Sequence, residues 1–176
     1  MKHFKLILSV ILLTCAFSTQ AQKNNKPWSL GFAVEGGAPT GEASQVYNFT
    51  FGITGRFSYH VGPGWATFTT GAVGFGPKSV YNEDLKVAEQ IPFKLGYKYV
   101  VAGPFFVMGE AGYSVYGYYR NAGYNETSTS FRTGGFTCAP SIGVTKGVFE
   151  AGLKYESIFL SGGNISYFNL RLAFNF

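Results

Sequence analysis

From Trp28 to Phe176 the chain keeps placing a large apolar residue at every second position. The stretch YFNLRLAFNF at its end sets Phe168, Leu170, Leu172, Phe174 and Phe176 on one parity and Asn169, Arg171, Ala173 and Asn175 on the other. A period of two belongs to a strand whose faces meet different surroundings. An unpaired apolar edge is a template for aggregation, so such a segment needs either the interior of a soluble sheet or lipid.

Seven earlier segments carry the same period. Trp28, Leu30, Phe32 and Val34 oppose Ser29, Gly31, Ala33 and Glu35. Tyr47, Phe49, Phe51, Ile53, Phe57 and Tyr59 oppose Thr50, Gly52, Thr54, Arg56 and Ser58. The third segment, Trp65 to Phe75, carries aromatics on both parities and its facing stays open. Ile91, Phe93, Leu95, Tyr97, Tyr99 and Val101 alternate with Pro92, Lys94, Gly96, Lys98 and Val100. Then come Phe105, Val107, Ala111, Tyr113 and Val115 against Met108, Glu110, Gly112 and Ser114. Pro140, Ile142 and Val144 oppose Ala139, Ser141 and Gly143, and Phe149, Ala151, Leu153 and Tyr155 oppose Glu150, Gly152, Lys154 and Glu156. Pro92 and Pro140 inside strands cost ladder hydrogen bonds unless they fall at bulges.

The connections alternate between long and short: PTGEASQ, VGPG, PKSVYNEDLK, AGP, RNAGYNETSTSFRTGG, KG and SIFLSGGN. Eight strands joined this way form an antiparallel up-and-down barrel with both termini on the short-turn side. Short periplasmic turns against longer external loops mark bacterial transmembrane barrels, which places both termini in the periplasm. A turn at Lys146-Gly147 would pair Val144 with Phe149 and Ile142 with Ala151; a turn over Ala102 to Pro104 would pair Tyr99 with Val107 and Leu95 with Ala111.

The amino end, MKHFK followed by LILSVILLTCAF and STQAQ, has the layout of a secretory signal peptide over residues 1–21, leaving 22–176 as the barrel domain. Its apolar run is shorter than the roughly 20 residues a membrane helix needs. Thr14 before Cys15 departs from a lipidation site. Removing the signal leaves Cys138 alone, so no disulfide forms within the mature chain. Lysines and arginines are scattered rather than clustered, which argues against nucleic acid as a partner.

A soluble barrel such as a lipocalin turns its apolar face inward; a membrane barrel turns it outward. Here the polar parity is rich in Gly, Ala, Ser and Thr, with isolated charges of both signs. Arg56, Lys94, Lys98, Lys154 and Arg171 would face Glu35, Glu110, Glu150 and Glu156 across a narrow lumen, with Lys94 and Lys98 diagonal to Glu110. Trp28, Tyr59, Tyr97, Tyr99 and Tyr155 near strand ends fit aromatic girdles. The expected fold is an all-β, eight-stranded antiparallel transmembrane barrel.

The signal, the eight strands, FFVMGEAGYSVYGYY, APSIGV, FEAGLKYE and the terminal LRLAFNF together resemble the small outer-membrane β-barrel proteins of the OmpA/OmpX type. The resemblance covers residues 28 to 176. It implies that Phe168, Leu170, Leu172, Phe174 and Phe176 are the signal read by the barrel-assembly machinery.

An eight-stranded barrel is narrow enough for side chains to fill, so the charge cluster reads as a plug. An enzymatic role is not expected. His60, the single histidine after the signal, adjoins a short turn, no GxSxG occurs, and Cys138 lacks a neighbouring base. GFGPKS lacks phosphate-loop spacing, and no cofactor or metal site is indicated. The expected role is an envelope structural or surface-interaction protein acting through external loops. The longest, Arg120 to Gly135, offers Arg120, Tyr124, Phe131 and Arg132. Expected partners are outer-membrane lipids, lipopolysaccharide and a surface or envelope protein. A narrow channel or transporter for small or apolar solutes is the second reading, and a periplasmic binding module the third.

Overall fold

The computed structural model describes residues 26–78, 87–120 and 129–176. Its strands are β1 (Trp28–Thr40), β2 (Tyr47–Val61), β3 (Gly64–Pro77), β4 (Ala88–Ala102), β5 (Phe105–Arg120), β6 (Thr129–Lys146), β7 (Phe149–Leu160) and β8 (Gly163–Asn175), with one helical turn, α1 (Ala43–Val46). Each strand pairs with its sequence neighbour, and β1 closes on β8 through antiparallel pairs such as Glu35 with Arg171. The expected eight-stranded barrel is the observed one.

Parity decides the two surfaces. The apolar set points outward: Leu95 is 68% exposed, Ile53 66% and Phe105 60%. The polar set is inside, with Lys94, Gln90, Glu156 and Asn169 at 0% exposure. A water-soluble barrel would reverse this distribution. β3 also acquires a facing: Thr67, Thr69, Val73 and Phe75 are buried inside, and Phe68 is exposed outside. Arginine in place of the outward Leu95 is expected to cost about 2–4 kcal/mol of stability if that position lies near the bilayer midplane. Denaturant titration of folding into lipid vesicles measures it; an unchanged midpoint would mean that this face does not meet hydrocarbon.

The three turns at the end shared with the termini each put a glycine in the left-handed region: Gly62 (φ 59°), Gly103 (φ 55°) and Gly147 (φ 61°). A side chain there is strained, so glycine is the residue the turn selects. Around Gly147 the expected register is wrong by two residues. Lys146 pairs with Phe149, so Val144 meets Ala151 and Ile142 meets Leu153. A slip of two leaves every side chain on its own face, so apolar parity does not detect it. The β4–β5 pairs Tyr99 with Val107 and Leu95 with Ala111 are as expected.

Three more expectations need correction. Tyr47 points inward and is 8% exposed, because the β2–β3 register shifts between Tyr47 and Phe49 and one extra residue inverts the parity. SIFLSGGN is no long loop: β7 and β8 pair as far as Leu160 with Gly163, leaving a tight turn. The span 120–135 is mostly strand, since β5 and β6 pair from Arg120 with Thr129 downward. In both segments hydrogen-bonded pairing continues past the last clear apolar alternation.

The prolines sit where one ladder lapses. β3–β4 pairing steps from Thr70 with Phe93 to Val73 with Gln90, passing Pro92; β6–β7 pairing steps from Cys138 with Ser157 to Ser141 with Lys154, passing Pro140. Neither step changes register. Each proline keeps its place in its other ladder, Pro92 opposite Ser114 and Pro140 opposite Gly109. A residue without an N–H is tolerated where no bond is asked of it.

Candidate functional site: the barrel interior

Inward-facing parity delivers Glu35 from β1, Arg56 from β2, Lys94 and Lys98 from β4, Glu110 from β5, Glu150, Lys154 and Glu156 from β7, and Arg171 from β8 into one space. The structure brings these residues together as a continuous network. Glu150 accepts from Arg56 Nη1 at 2.8 Å, Arg171 Nη1 at 2.6 Å and Lys98 Nζ at 2.5 Å. Glu156 accepts from Lys94 at 2.5 Å and lies 2.9 Å from Lys154, which also donates to Glu35. Glu110 takes the Thr69 hydroxyl at 2.5 Å and lies 3.9 Å from Lys94. The diagonal partner expected for it, Lys98, turns instead toward Glu150.

Neutral side chains complete the shell. Gln90 donates to Glu156 at 2.6 Å and to Ser114 at 3.0 Å, and accepts from the Tyr167 hydroxyl at 2.6 Å. Asn169 reaches Glu35 at 3.2 Å, Thr54 donates to Glu35 at 2.9 Å, and Arg56 Nε donates to Thr69 at 3.2 Å. Ionised groups this deeply buried persist only when their charge and hydrogen bonds are answered locally. Gln90 and Asn169 lie on the inward parity and are in principle legible; their partners stand on non-neighbouring strands, which no sequence period reveals.

Toward the loop end the interior changes character. Tyr47, Val73, Phe75, Ala88, Tyr116, Ile158 and Tyr167 form a buried apolar cluster, with Ala43 of α1 among them. Phe75 is at its centre, its ring 5.5 Å from Tyr47, 5.7 Å from Tyr116 and 5.3 Å from Tyr167. The Tyr47 and Tyr116 hydroxyls meet at 2.6 Å. This aromatic cluster lies above the charges. It is the largest feature that apolar parity does not reveal, because it uses the strand of open facing and Tyr47, whose facing a bulge inverts.

The terminus end differs again, with a cavity of about 290 Å³ lined by Ser29, Ser58, Trp65, Lys98, Val100, Thr145, Glu150, Asn175 and Phe176 among others. His60 lies nearby on β2 with its ring edge-on to Trp65 at 5.0 Å. Among the described residues no group of three or more His, Cys, Asp or Glu could hold a metal ion. Phe168, Leu170, Leu172, Phe174 and Phe176 are all exposed on the outer wall. Phe176 exchanges two backbone hydrogen bonds with Leu30, both 2.8 Å, and its ring meets Phe32 at 5.9 Å.

Of the loop candidates, Arg132 is exposed near the start of β6. Arg120 and Phe131 are placed by their backbone in the β5–β6 ladder, opposite Thr129 and Tyr118. Tyr124 lies outside the described residues, as do residues 1–21.

The family described as "Outer membrane protein beta-barrel domain" matches residues 8–174. No curated protein sequence matches. Among solved structures, Ail, the attachment invasion locus protein of Yersinia pestis, is similar at a TM-score of 0.59 and 13% identity, covering 85% of this chain and 96% of that one. The N-terminal β-barrel domain of Pseudomonas aeruginosa OprF gives 0.59 at 12% identity, over 86% and 98%. Neisserial surface protein A gives 0.56 at 11%, over 85% and 96%. At such identities these likenesses speak for the fold alone. On the match over residues 8–174 and on its inside-out architecture, the chain belongs to the outer membrane protein β-barrel domain family, whose members reside in the bacterial outer membrane.

Proposed function

We propose that the protein is a non-conducting, non-enzymatic barrel that fixes a surface in the outer membrane and acts through its loop end. The observation that supports this reading is the pair of side-chain layers in the lumen. A charged belt of linked ion pairs lies beneath an aromatic cluster, and this filling supports a lumen without a continuous path for water or solute. With no path inward, contact chemistry belongs to the residues outside the wall, where barrels of this architecture carry their variable segments. In this reading both termini and the turns at Gly62, Gly103 and Gly147 face the periplasm, and the long β5–β6 ladder reaches outward. In this reading residues 1–21 direct export, Phe176 and its alternate apolar neighbours are read during assembly, and lipopolysaccharide surrounds the outer rim. Ail has been crystallised with the heparin analogue sucrose octasulfate. A polyanionic glycan is accordingly among the surface ligands to try against the segment holding Arg120, Tyr124 and Arg132.

The test is single-channel recording in planar bilayers. The wild-type protein is expected to give no current steps above the bilayer background, and Arg171→Ala, which removes a side chain bridging Glu150 and Glu35, is expected to give measurable ones. Steady wild-type conductance would favour the second reading, a narrow channel whose network rearranges. Deleting residues 121–128 is expected to abolish surface binding while leaving a heat-modifiable barrel; binding that survives the deletion would remove this segment from the proposal.

A further inference from the structure

At the loop end the inward-facing residues leave a cavity of about 520 Å³. Tyr47 and Tyr116 belong both to its lining and to the aromatic cluster. The rest of its wall includes Val46 of α1, Thr133 of β6, which stands opposite Tyr116 in the β5–β6 ladder, and Leu160 and Ile165 of the β7–β8 hairpin. Val46, Leu160 and Ile165 are partly buried and pack on the cluster as well as lining the cavity. A concave space of this volume, apolar and aromatic with a few polar groups, has the ordinary form of a small-molecule site.

The polar part of the lining has one sign of charge. It comes from Glu42, Thr133, Ser161 and Asn164, and of these Glu42 alone has a charged side chain. Its carboxylate makes no capping hydrogen bond to α1, which begins at the next residue. It stands instead over the β7–β8 turn, where a Cβ on Gly163 would come within 3.3 Å of Glu42 Oε2. Glycine at 163 therefore leaves the carboxylate its place at the cavity edge. An acceptor-only group beside an apolar, aromatic wall favours a ligand with an apolar body and a cationic donor, and disfavours one with a negative end.

We propose that the loop-end cavity binds one small amphiphilic amine, its apolar body against Val46, Leu160, Ile165 and the two tyrosines and its ammonium group at Glu42. The proposal rests on the reading of the loop end as the working end of the barrel. It adds a ligand site built from α1 and strand residues rather than from residues 121–128.

Phenethylamine is the probe, with phenethyl alcohol and hydrocinnamate as its neutral and anionic counterparts. Each is titrated into the mature protein refolded in a non-ionic detergent. Methyl resonances of Val46, Leu160 and Ile165 are followed by NMR, while Leu95 and Leu153, exposed on the outer wall, report uptake into the micelle. The amine is expected to shift the three cavity methyls saturably and to bind several-fold more tightly than the alcohol; hydrocinnamate is expected to bind least. Glu42→Gln, at an exposed position, is expected to leave the barrel folded and to bring the amine down to the affinity of the alcohol. Val46→Trp, which fills the cavity, is expected to abolish binding of both. Should it give no heat-modifiable barrel, Thr133→Trp takes its place. Deleting residues 121–128, the variant that tests surface binding, is expected to leave amine binding intact, so each proposal can fail alone. Shifts that do not saturate, shifts as large at Leu95 and Leu153 as in the cavity, an amine no tighter than the alcohol, or a preference for the amine that survives in Glu42→Gln would overturn the site.

Discussion

Replacing Glu156 with alanine is expected to destabilise the barrel by about 3–5 kcal/mol, the range found when one member of a buried ion pair is removed. Glu156 is at 0% exposure and holds Lys94 at 2.5 Å, Lys154 at 2.9 Å and the Gln90 amide at 2.6 Å. Truncation leaves buried Lys94 with only a 3.9 Å contact to Glu110, leaves Lys154 with Glu35 alone, and leaves a donor of Gln90 unanswered. Much of the loss is the cost of those orphaned groups. Adding Lys94→Met to Glu156→Ala is therefore expected to restore part of the stability. The comparison is made by urea titration of folding in lipid vesicles, with the heat-modifiable band as the measure of folded protein. Glu89, exposed on the same strand as Lys94, serves as control; its alanine variant should stay within about 0.5 kcal/mol of the parent. Equal midpoints for Glu156→Ala and Glu89→Ala would show that the lumen is hydrated enough to solvate bare lysines.

Phe75→Ala is expected to cost a similar amount, about 3–5 kcal/mol, for a different reason. Phe75 is fully buried against Tyr47, Tyr116 and Tyr167, and strands hydrogen-bonded around a closed barrel cannot collapse into the void its ring would leave. The transfer term and the cavity term then add. Phe68, outward on the same strand, is the counterpart. Its removal leaves a gap that a mobile acyl chain can enter, so the cavity term vanishes and the loss is smaller. Vesicle-folding midpoints for the two variants separate these cases; equal losses would mean that the cap packs loosely. Phe75→Ala should also leave the Tyr47–Tyr116 hydroxyl pair without its aromatic support.

The contrast between these residues marks what a sequence of this kind discloses. Strand number, handedness of facing and the roster of inward charges all follow from a period of two, because a barrel wall one residue thick converts parity directly into inside or outside. The pairing of those charges does not. Arg56 meets Glu150 from β2 to β7, and Lys94 meets Glu156 from β4 to β7, contacts set by the curvature of the whole barrel rather than by neighbouring strands. Tyr47 escapes because a bulge changes parity without a compositional mark. Phe75 escapes because aromatics occupy both parities of β3. The span 120–135 reads as a loop because its apolar alternation fades, while backbone pairing, which is indifferent to side-chain type, carries on to Arg120 and Thr129.

The closure of β1 on β8 has a kinetic consequence. Every other ladder joins strands adjacent in sequence and can zip outward from its own connection. The last ladder brings together groups as remote as Asn169 and Glu35, 134 positions apart along the chain. High contact order slows folding, because loop entropy is spent before the contacts that reward it form. Until that ladder forms, the outer strands of the open sheet expose two rows of unpaired amides flanked by apolar side chains, the arrangement most prone to capture another chain. The rate of barrel closure, rather than of hairpin formation, is therefore expected to set how long those unpaired edges stay exposed.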